Sequence, residues 1–207
     1  SFQPILARFT KRLTNWDERF ISHGVKDNLV KSVAQAILTY TMSIFKMGAR
    51  FYDQYEKLIR DFWWGDEQNK WKAHWMSWDR MTRTKSQGGL GFRDMRILNQ
   101  VLLANQAWRL IQRSGSMCAK VLKSKYYPKG NLLDMVFPSD ASPVWQGIEH
   151  GLELLKKDMI WRVGNGKSIQ ILRHNWIPRQ EGMSIMSLKN RSRIRWVNQL
   201  IIPNTNE

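Results

Sequence analysis

Basic and aromatic side chains are concentrated in the middle of this 207-residue sequence, where they could contact a polyanion. Residues 70–129 contain 13 Lys or Arg and only two acidic residues, Asp79 and Asp94, and five tryptophans lie within residues 62–78. Basic side chains neutralise phosphates, and aromatic rings stack on nucleic-acid bases. Alternatively, the tryptophans bury themselves at a packed corner. The candidate phosphate contacts are Lys70, Lys72, Arg83, Lys85, Arg93, Arg96, Lys120, Lys123 and Lys125, and the candidate stacking side chains are Trp71 and Trp75.

The charge of the whole chain also favours a polyanionic partner. The net charge is +16 and the sequence pI is near 10.3. RNA or DNA is the first candidate, and an anionic membrane surface is the second. The membrane is the weaker alternative because the apolar faces of the basic helices are needed for the core. No apolar run approaches the roughly 18 residues that a bilayer span requires, and we expect no membrane association.

A glycine-rich stretch precedes the longest predicted helix. Gly88, Gly89 and Gly91 permit unusual backbone angles, and Asp94 can cap the first amides of the helix. Such a loop can hold a phosphate, or it can be a plain turn. Because no Lys-Ser/Thr pair follows the glycines and no clear strand precedes them, we expect a tight turn that seats the helix in the core. The apolar face of this helix is predicted to carry Ile97, Val101, Leu102, Trp108 and Ile111, and its polar face Arg96, Arg109 and Arg113.

Residues with catalytic or metal-binding chemistry are few and scattered. The one cysteine, Cys118, can form neither an internal disulfide nor a cysteine-based zinc site, and we expect it to be a small buried residue on a helix. The four histidines have no ligand spacing, and no Asp-Asp pair occurs. We therefore expect no enzyme activity of this chain, no metal or other cofactor, and no small-molecule substrate.

Hydrophobic periodicity predicts a mainly α protein. Two segments of period two, residues 159–163 and 168–172, flank a Gly-Asn-Gly-Lys turn and predict a β-hairpin. The predicted helices run from the N-terminus to His23, from Asp27 or Asn28 to Gly48, from Phe51 to Trp64, from Met95 to Arg113, from Ser116 to Tyr127, and from Ser142 or Pro143 to Lys157.

Three regions follow from these elements. Residues 1–65 are expected to form a helical bundle, and residues 66–157 a basic, tryptophan-rich helical region. Residues 158–207 are expected to form a small α+β part with the hairpin and the beginning of a following region. We interpret the chain, which begins with Ser1, as a piece of a longer protein.

Several strings in this order resemble one known family. They include KSVAQAILTYTMS, LIRDFWWG, HWMSWDRM, KSQGGLGFRDMRILNQVLLANQAWRL, LKSKYYPKG, LLKKDMIWRVGNGKSI and NWIP. From about Leu13 to Pro178, the chain is similar to the reverse transcriptase polyproteins of plant LINE-type (non-LTR) retrotransposons. The similar segment follows the polymerase domain and precedes the zinc-binding and ribonuclease H-like regions.

The resemblance implies a non-catalytic fragment of an RNA-directed DNA polymerase. The family's Tyr-x-Asp-Asp hairpin, its zinc motif and its ribonuclease H carboxylates have no counterpart here, so no catalytic residue is carried over. The implied role is a thumb-like or connection-like segment that helps to grip template–primer or element RNA. The implied partners are RNA or DNA and the remainder of the parent polyprotein, in the nucleus if the element is active and otherwise inside the cell. The alternatives are a structural scaffold and a decayed reading frame without activity.

Overall fold

The computed structural model describes residues 2–16, 21–65, 74–172, 174–177 and 194–201, and it confirms the predicted mainly α class. The chain divides into two compact units, Ser1–Leu154 and Leu155–Glu207. The α-helices are α1 Gln3–Thr14, α2 His23–Leu29, α3 Gln35–Met42, α4 Ala49–Trp64, α5 Trp78–Thr82, α6 Met95–Gln112, α7 Met117–Tyr126 and α8 Pro143–Asp158.

Polar side chains fix the starts of α6 and α7, and the cap at Asp94 confirms the prediction from the sequence. Asp94 accepts hydrogen bonds from the amides of Arg96 and Ile97 at 2.7 and 3.4 Å. Ser116 accepts one from the amide of Ala119 at 3.2 Å. Each cap satisfies amides that the first helical turn leaves without a partner, a contribution of about 1 kcal/mol.

The predicted boundary between the first two helices is wrong. α1 ends at Thr14, and α2 begins at His23 rather than at Asp27 or Asn28. Ser22 caps α2 by accepting a first-turn amide at 3.5 Å. Gly24 lies inside α2 and does not stop the helix. A glycine costs only about 1 kcal/mol inside a helix, and a serine cap can offset that cost.

A π-helical turn, Val30–Ala34, joins α2 directly to α3. Val30, Ala34, Leu38 and Met42 are all buried along this continuous helical segment. In a regular α-helix, positions four apart drift by about 40° per step. The wider π turn reduces this drift, so that four successive buried residues stay on one face.

One hydrophobic core extends from Leu6 on α1 to Met95 at the start of α6. α6 enters it by a different face from the predicted one, because Ile97 and Val101 are 63% and 47% exposed. Apolar residues occur around most of α6, so their spacing did not identify the buried face. The buried residues of α6 are Met95, Asn99, Leu103, Ala104, Ala107 and Leu110.

Asn99 is a fully buried polar anchor on α6. Its carboxamide oxygen accepts hydrogen bonds from the Met47 amide at 3.0 Å and the Tyr52 hydroxyl at 2.7 Å. Its amide nitrogen donates to the carbonyls of Met42 and Phe45 at 2.6 and 2.9 Å. All of its hydrogen-bonding groups are therefore used, and they fix the connection between α3 and α4 against α6.

The second unit contains a small core without the predicted hairpin. Ile169, Ile171 and Val197 form this core. The Ile171 amide donates to the Arg195 carbonyl at 3.1 Å, and the Trp161 amide donates to the Asn175 carbonyl at 2.6 Å. No strand is present in the described part of this unit, where Gln170 and Trp196 form an isolated antiparallel bridge. The two segments bond to later parts of the chain, so the hairpin is not confirmed.

Candidate nucleic-acid interface

The glycine-rich loop is a tight turn whose amides bond to the end of α5. The Gly91 amide donates to the Arg83 carbonyl at 2.8 Å, and the amides of Leu90 and Phe92 donate to the Met81 carbonyl at 3.1 and 3.2 Å. A Cβ atom added to Gly89 would lie 2.1 Å from the Arg83 carbonyl oxygen. The loop therefore requires a glycine there, and these amides are occupied rather than available to a phosphate.

Two of the predicted phosphate contacts before α6 form ion pairs within the chain. Arg83 lies 2.7 Å from Asp79, with both side chains exposed. Lys85 lies 3.3 Å from Asp27, which also binds Lys31 at 2.6 Å. The Arg83–Asp79 pair is exposed, and such pairs typically contribute less than about 1 kcal/mol, so Arg83 can exchange Asp79 for a phosphate at small cost. In the second pair Lys85 is exposed but Asp27 is half-buried, and Asp27 keeps Lys31 as a partner if Lys85 leaves it.

Arg96 is held much more firmly, by contacts on α4. Its guanidinium pairs with Asp53 at 2.8 Å and with Glu56, and it lies 5.3 Å from the centroid of the Tyr52 ring. Burial raises the pKa of Glu56 above its ordinary value, and the charge of Arg96 opposes that rise. Burial also raises the pKa of the Tyr52 hydroxyl to about 12. Arg96 thus links α6 to α4. Arg93, which lies three residues earlier, is exposed.

The remaining predicted lysines lie on α7 and are all exposed. Lys120, Lys123 and Lys125 form no ion pair with another described residue. Lys125 lies over the Tyr126 ring at 5.1 Å from its centroid. The lysines follow one another along a short helix that contributes one fully buried residue, Ala119, to the interior. This helix therefore presents concentrated positive charge without internal neutralisation.

An aromatic stack supports the C-terminal end of α7. The Tyr126 ring lies parallel to Trp145 of α8, with centroids 4.3 Å apart, and Tyr127 stacks on the same indole at 5.9 Å. The Tyr126 and Ser142 hydroxyls are 2.9 Å apart. This hydrogen bond lowers the pKa of Tyr126. The stack fixes α7 in place, so its lysines project from a rigid element.

The tryptophan cluster divides between the core and the surface. Trp63 and Trp78 are buried, in edge-on contact with Phe92 and Tyr55 respectively. Trp75 is 83% exposed, so its ring is accessible for stacking. The burial interpretation therefore describes Trp63 and Trp78, while base stacking by Trp75 stays a prediction. Three of the predicted contacts lie outside the described residues: Lys70, Trp71 and Lys72.

Two exposed arginines at the C-terminal end of α6 are absent from the predicted site. Arg109 and Arg113 are spaced four residues apart and lie beside α7 along a surface groove. The signal was present, because a spacing of four residues predicts that both lie on one helix face. In the structure Arg109 is in the last turn of α6 and Arg113 caps its C-terminal end. Cys118 also lines the groove and is exposed, so the prediction that it is buried is wrong. It lies in the first turn of α7, where only Ala119 is fully buried.

The described residues contain neither a cluster of metal ligands nor a helix that could cross a membrane. Among these residues, no group of three or more His, Cys, Asp or Glu side chains is placed to hold a metal ion. Within the same ranges, no helix combines the length and apolar character that crossing a bilayer demands.

Two proteins of one plant species are similar to this chain. It is 32% identical over 143 residues to an uncharacterised mitochondrial protein of Arabidopsis thaliana, a match that covers 69% of this chain and 93% of that protein. It is 28% identical over 197 residues to a "Putative ribonuclease H protein" of the same plant, which covers 93% of this chain. The chain spans only 31% of the length of that second relative. No protein-family model matches the chain.

Proposed function

We propose that this chain, which belongs to the family of the uncharacterised mitochondrial protein of Arabidopsis thaliana, is a nucleic-acid-binding segment derived from a plant retrotransposon polyprotein. In this proposal the segment grips RNA or DNA and leaves the chemistry to other parts of the parent. Two findings support it: the resemblance of the motifs to LINE-type reverse transcriptase polyproteins, and a relative about three times as long whose name refers to ribonuclease H.

The charge on α7 is the observation that carries the proposed role. Lys120, Lys123 and Lys125 project from a helix that an aromatic stack holds in place, and no described carboxylate neutralises them. Phosphate binding releases counterions, so unpaired lysines on a rigid helix are well suited to a nucleic-acid backbone. Arg93 and the exposed ring of Trp75 extend the proposed contacts, with Arg83 and Lys85 as additional weak ones. Arg96 is excluded, since its guanidinium already has two carboxylate partners.

The experiment is a fluorescence anisotropy titration of the chain against single-stranded RNA, single-stranded DNA and an RNA–DNA hybrid. Each titration is repeated over a range of salt concentrations. We expect the logarithm of the affinity to fall linearly with the logarithm of salt, by about 0.7 for each phosphate contacted on a single strand. The double variant Lys120→Glu/Lys123→Glu should reduce this slope by about 1.4, because two contacts are lost.

A matched control separates specific contacts from total charge. Arg8 and Arg12 are exposed on α1, and Arg8→Glu/Arg12→Glu changes the net charge by the same amount. The control should alter the salt slope much less than the α7 variant does. Equal slopes for the two variants, or affinity that is independent of salt, would exclude α7 as the interface.

A structural scaffold is the second candidate function. Ile97 and Val101 on α6 are apolar and exposed, as residues that brace another domain would be. Under this alternative, neither charge reversal changes nucleic-acid affinity, and Ile97→Glu instead disrupts assembly with the rest of the parent protein. The anisotropy titrations therefore discriminate between the two candidates.

A further inference from the structure

A groove beside α7 has the composition of a protein-docking site. It lies among the C-terminal end of α3, the second half of α6, the first half of α7 and the start of α8, and its volume is about 500 Å³. Ile44, Leu110, Leu122 and Ile148 give it aliphatic walls. Tyr40 on α3 is 77% exposed at the groove and extends the apolar surface beyond the cavity. The apolar surface that a partner could cover therefore includes the exposed ring of Tyr40 as well as the walls of the cavity.

The charge along the groove has one sign. Arg109, in the last turn of α6, and Arg113, the residue that follows this helix, both line it. No Asp or Glu is among the described residues that line the groove. Neither arginine forms an ion pair with another described residue. An occupant that buries an apolar surface here would also bring its edge against two unneutralised guanidinium groups. Complementarity therefore requires an apolar face bordered by carboxylates.

We infer that this groove binds an acidic amphipathic helix of a partner protein. The apolar face of that helix rests on Leu110, Leu122 and Ile148, and its carboxylates pair with Arg109 and Arg113. Helices that dock in this way insert side chains at spacings of three, four and seven residues into an apolar groove between helices. A second copy of this chain is a poor occupant, because each copy carries a net charge of +16. A nucleic-acid strand is also a poor occupant, because the walls are mainly aliphatic and bases stack on aromatic rings.

The single cysteine gives a direct measurement of occupancy. Cys118 lines the groove, is exposed, and is the one cysteine of the whole chain. The probe is a synthetic helical peptide with leucines on one face and glutamates on the others. We expect this peptide to slow alkylation of Cys118 by a maleimide at least about tenfold at saturation, measured by intact mass. Prior alkylation with a bulky maleimide should in turn abolish peptide binding.

Two control peptides test the chemistry of the occupant. One replaces every glutamate with lysine, and the other keeps the composition but distributes the leucines around the helix. Neither should bind. Binding of either control as tight as that of the acidic amphipathic peptide overturns the proposal.

Two charge-reversal variants test whether the peptide binds in this groove. Arg109→Glu/Arg113→Glu should weaken peptide binding by about tenfold or more in an anisotropy titration, since two attractions become repulsions. Lys120→Glu/Lys123→Glu carries the same charge change on residues that do not line the groove, and it should weaken binding less than about threefold. Circular dichroism checks that both variants fold, and the Cys118 measurement in the unaltered chain remains informative if one does not.

The results of the peptide experiments can be distinguished from those that test nucleic-acid binding by α7. The proposal is overturned by absence of Cys118 protection at peptide concentrations up to about 1 mM, the weakest affinity class of interest. It is equally overturned by protection with an RNA oligonucleotide instead of the peptide, or by protection that rises with the chain's own concentration. Each of these results leaves the salt-slope test of α7 unaffected.

Discussion

The start of α6 and the whole of α7 carry similar basic residues, but the two regions use them differently. Arg96 binds two carboxylates of α4 and lies over the Tyr52 ring. Three residues further on, Asn99 makes four hydrogen bonds inside the core. On α7, Lys120 and Lys123 project into solvent without a carboxylate partner among the described residues. Positive charge thus links two helices in the first region and stays exposed in the second.

This difference shows why charge density alone does not locate an interface. Both regions lie within the same basic block of residues 70–129, and both were included in the predicted site. What separates them is whether acidic side chains from distant parts of the sequence fold against them. Asp53 and Glu56 are some 40 residues from Arg96 in the sequence, and only the packing of α6 on α4 brings them together.

The largest expected effect comes from removing the buried anchor. Asn99→Ala leaves the groups that now bond to its carboxamide unsatisfied in the core, and we expect a loss of about 3–5 kcal/mol in the free energy of unfolding. Denaturant unfolding followed by circular dichroism measures it. Asn105→Ala is the matched control on the exposed side of α6, and it should change stability by less than about 0.5 kcal/mol. Similar values for the two variants would contradict the role of Asn99 as an anchor.

The next largest effect is expected from a substitution in the glycine-rich turn that leads into α6. A Cβ at Gly89 would clash with the backbone of α5 and its following residue, so Gly89→Ala should cost about 3 kcal/mol of stability. Gly88 has a positive φ of 76° and open space around it, so Gly88→Ala should cost only the smaller backbone penalty of about 1 kcal/mol. Thermal unfolding of both variants gives the comparison. A Gly89 variant as stable as the Gly88 variant would show that the close approach is unimportant.

The sequence predicted local features well and long-range ones poorly. The cap at Asp94 and the end of α4 at Trp64 depend on neighbouring residues, and both were identified. The buried face of α6 was missed because apolar side chains surround much of that helix, while its buried face includes the polar Asn99 and two alanines, Ala104 and Ala107. Within the predicted site, exposure was correct for Lys120 and Lys123. The partners of Arg96 could not be foreseen, since helix periodicity does not say which helices will meet.

The smallest expected effect comes from removing one positive charge from each region, at Arg96 or at Lys123. Arg96→Met removes two ion pairs and a cation–π contact, and we expect it to reduce stability by about 1 kcal/mol with no change in nucleic-acid affinity. Lys123→Met should leave stability within about 0.5 kcal/mol and lower the salt slope by about 0.7, because it removes one phosphate contact. Denaturant unfolding and salt-dependent anisotropy on both variants test the pair. The prediction is contradicted if Arg96→Met lowers the salt slope and leaves stability unchanged, while Lys123→Met lowers stability and leaves the salt slope unchanged.

The pH dependence of the Arg96 variant provides an independent check. Burial raises the pKa of Glu56 above the 4.5 of an ordinary carboxyl, and Arg96 opposes this shift. A raised carboxyl pKa means that the folded state holds its proton more tightly than the unfolded state does. The contribution of Glu56 to the free energy of unfolding is therefore present below pH 4.5, and it is lost as pH rises through the folded-state pKa of Glu56. Without Arg96 the shift becomes larger, so Arg96→Met should lose stability more steeply than the unaltered chain as pH rises above 4.5. Parallel stability–pH curves for the two proteins would show that Arg96 does not interact with Glu56 in solution.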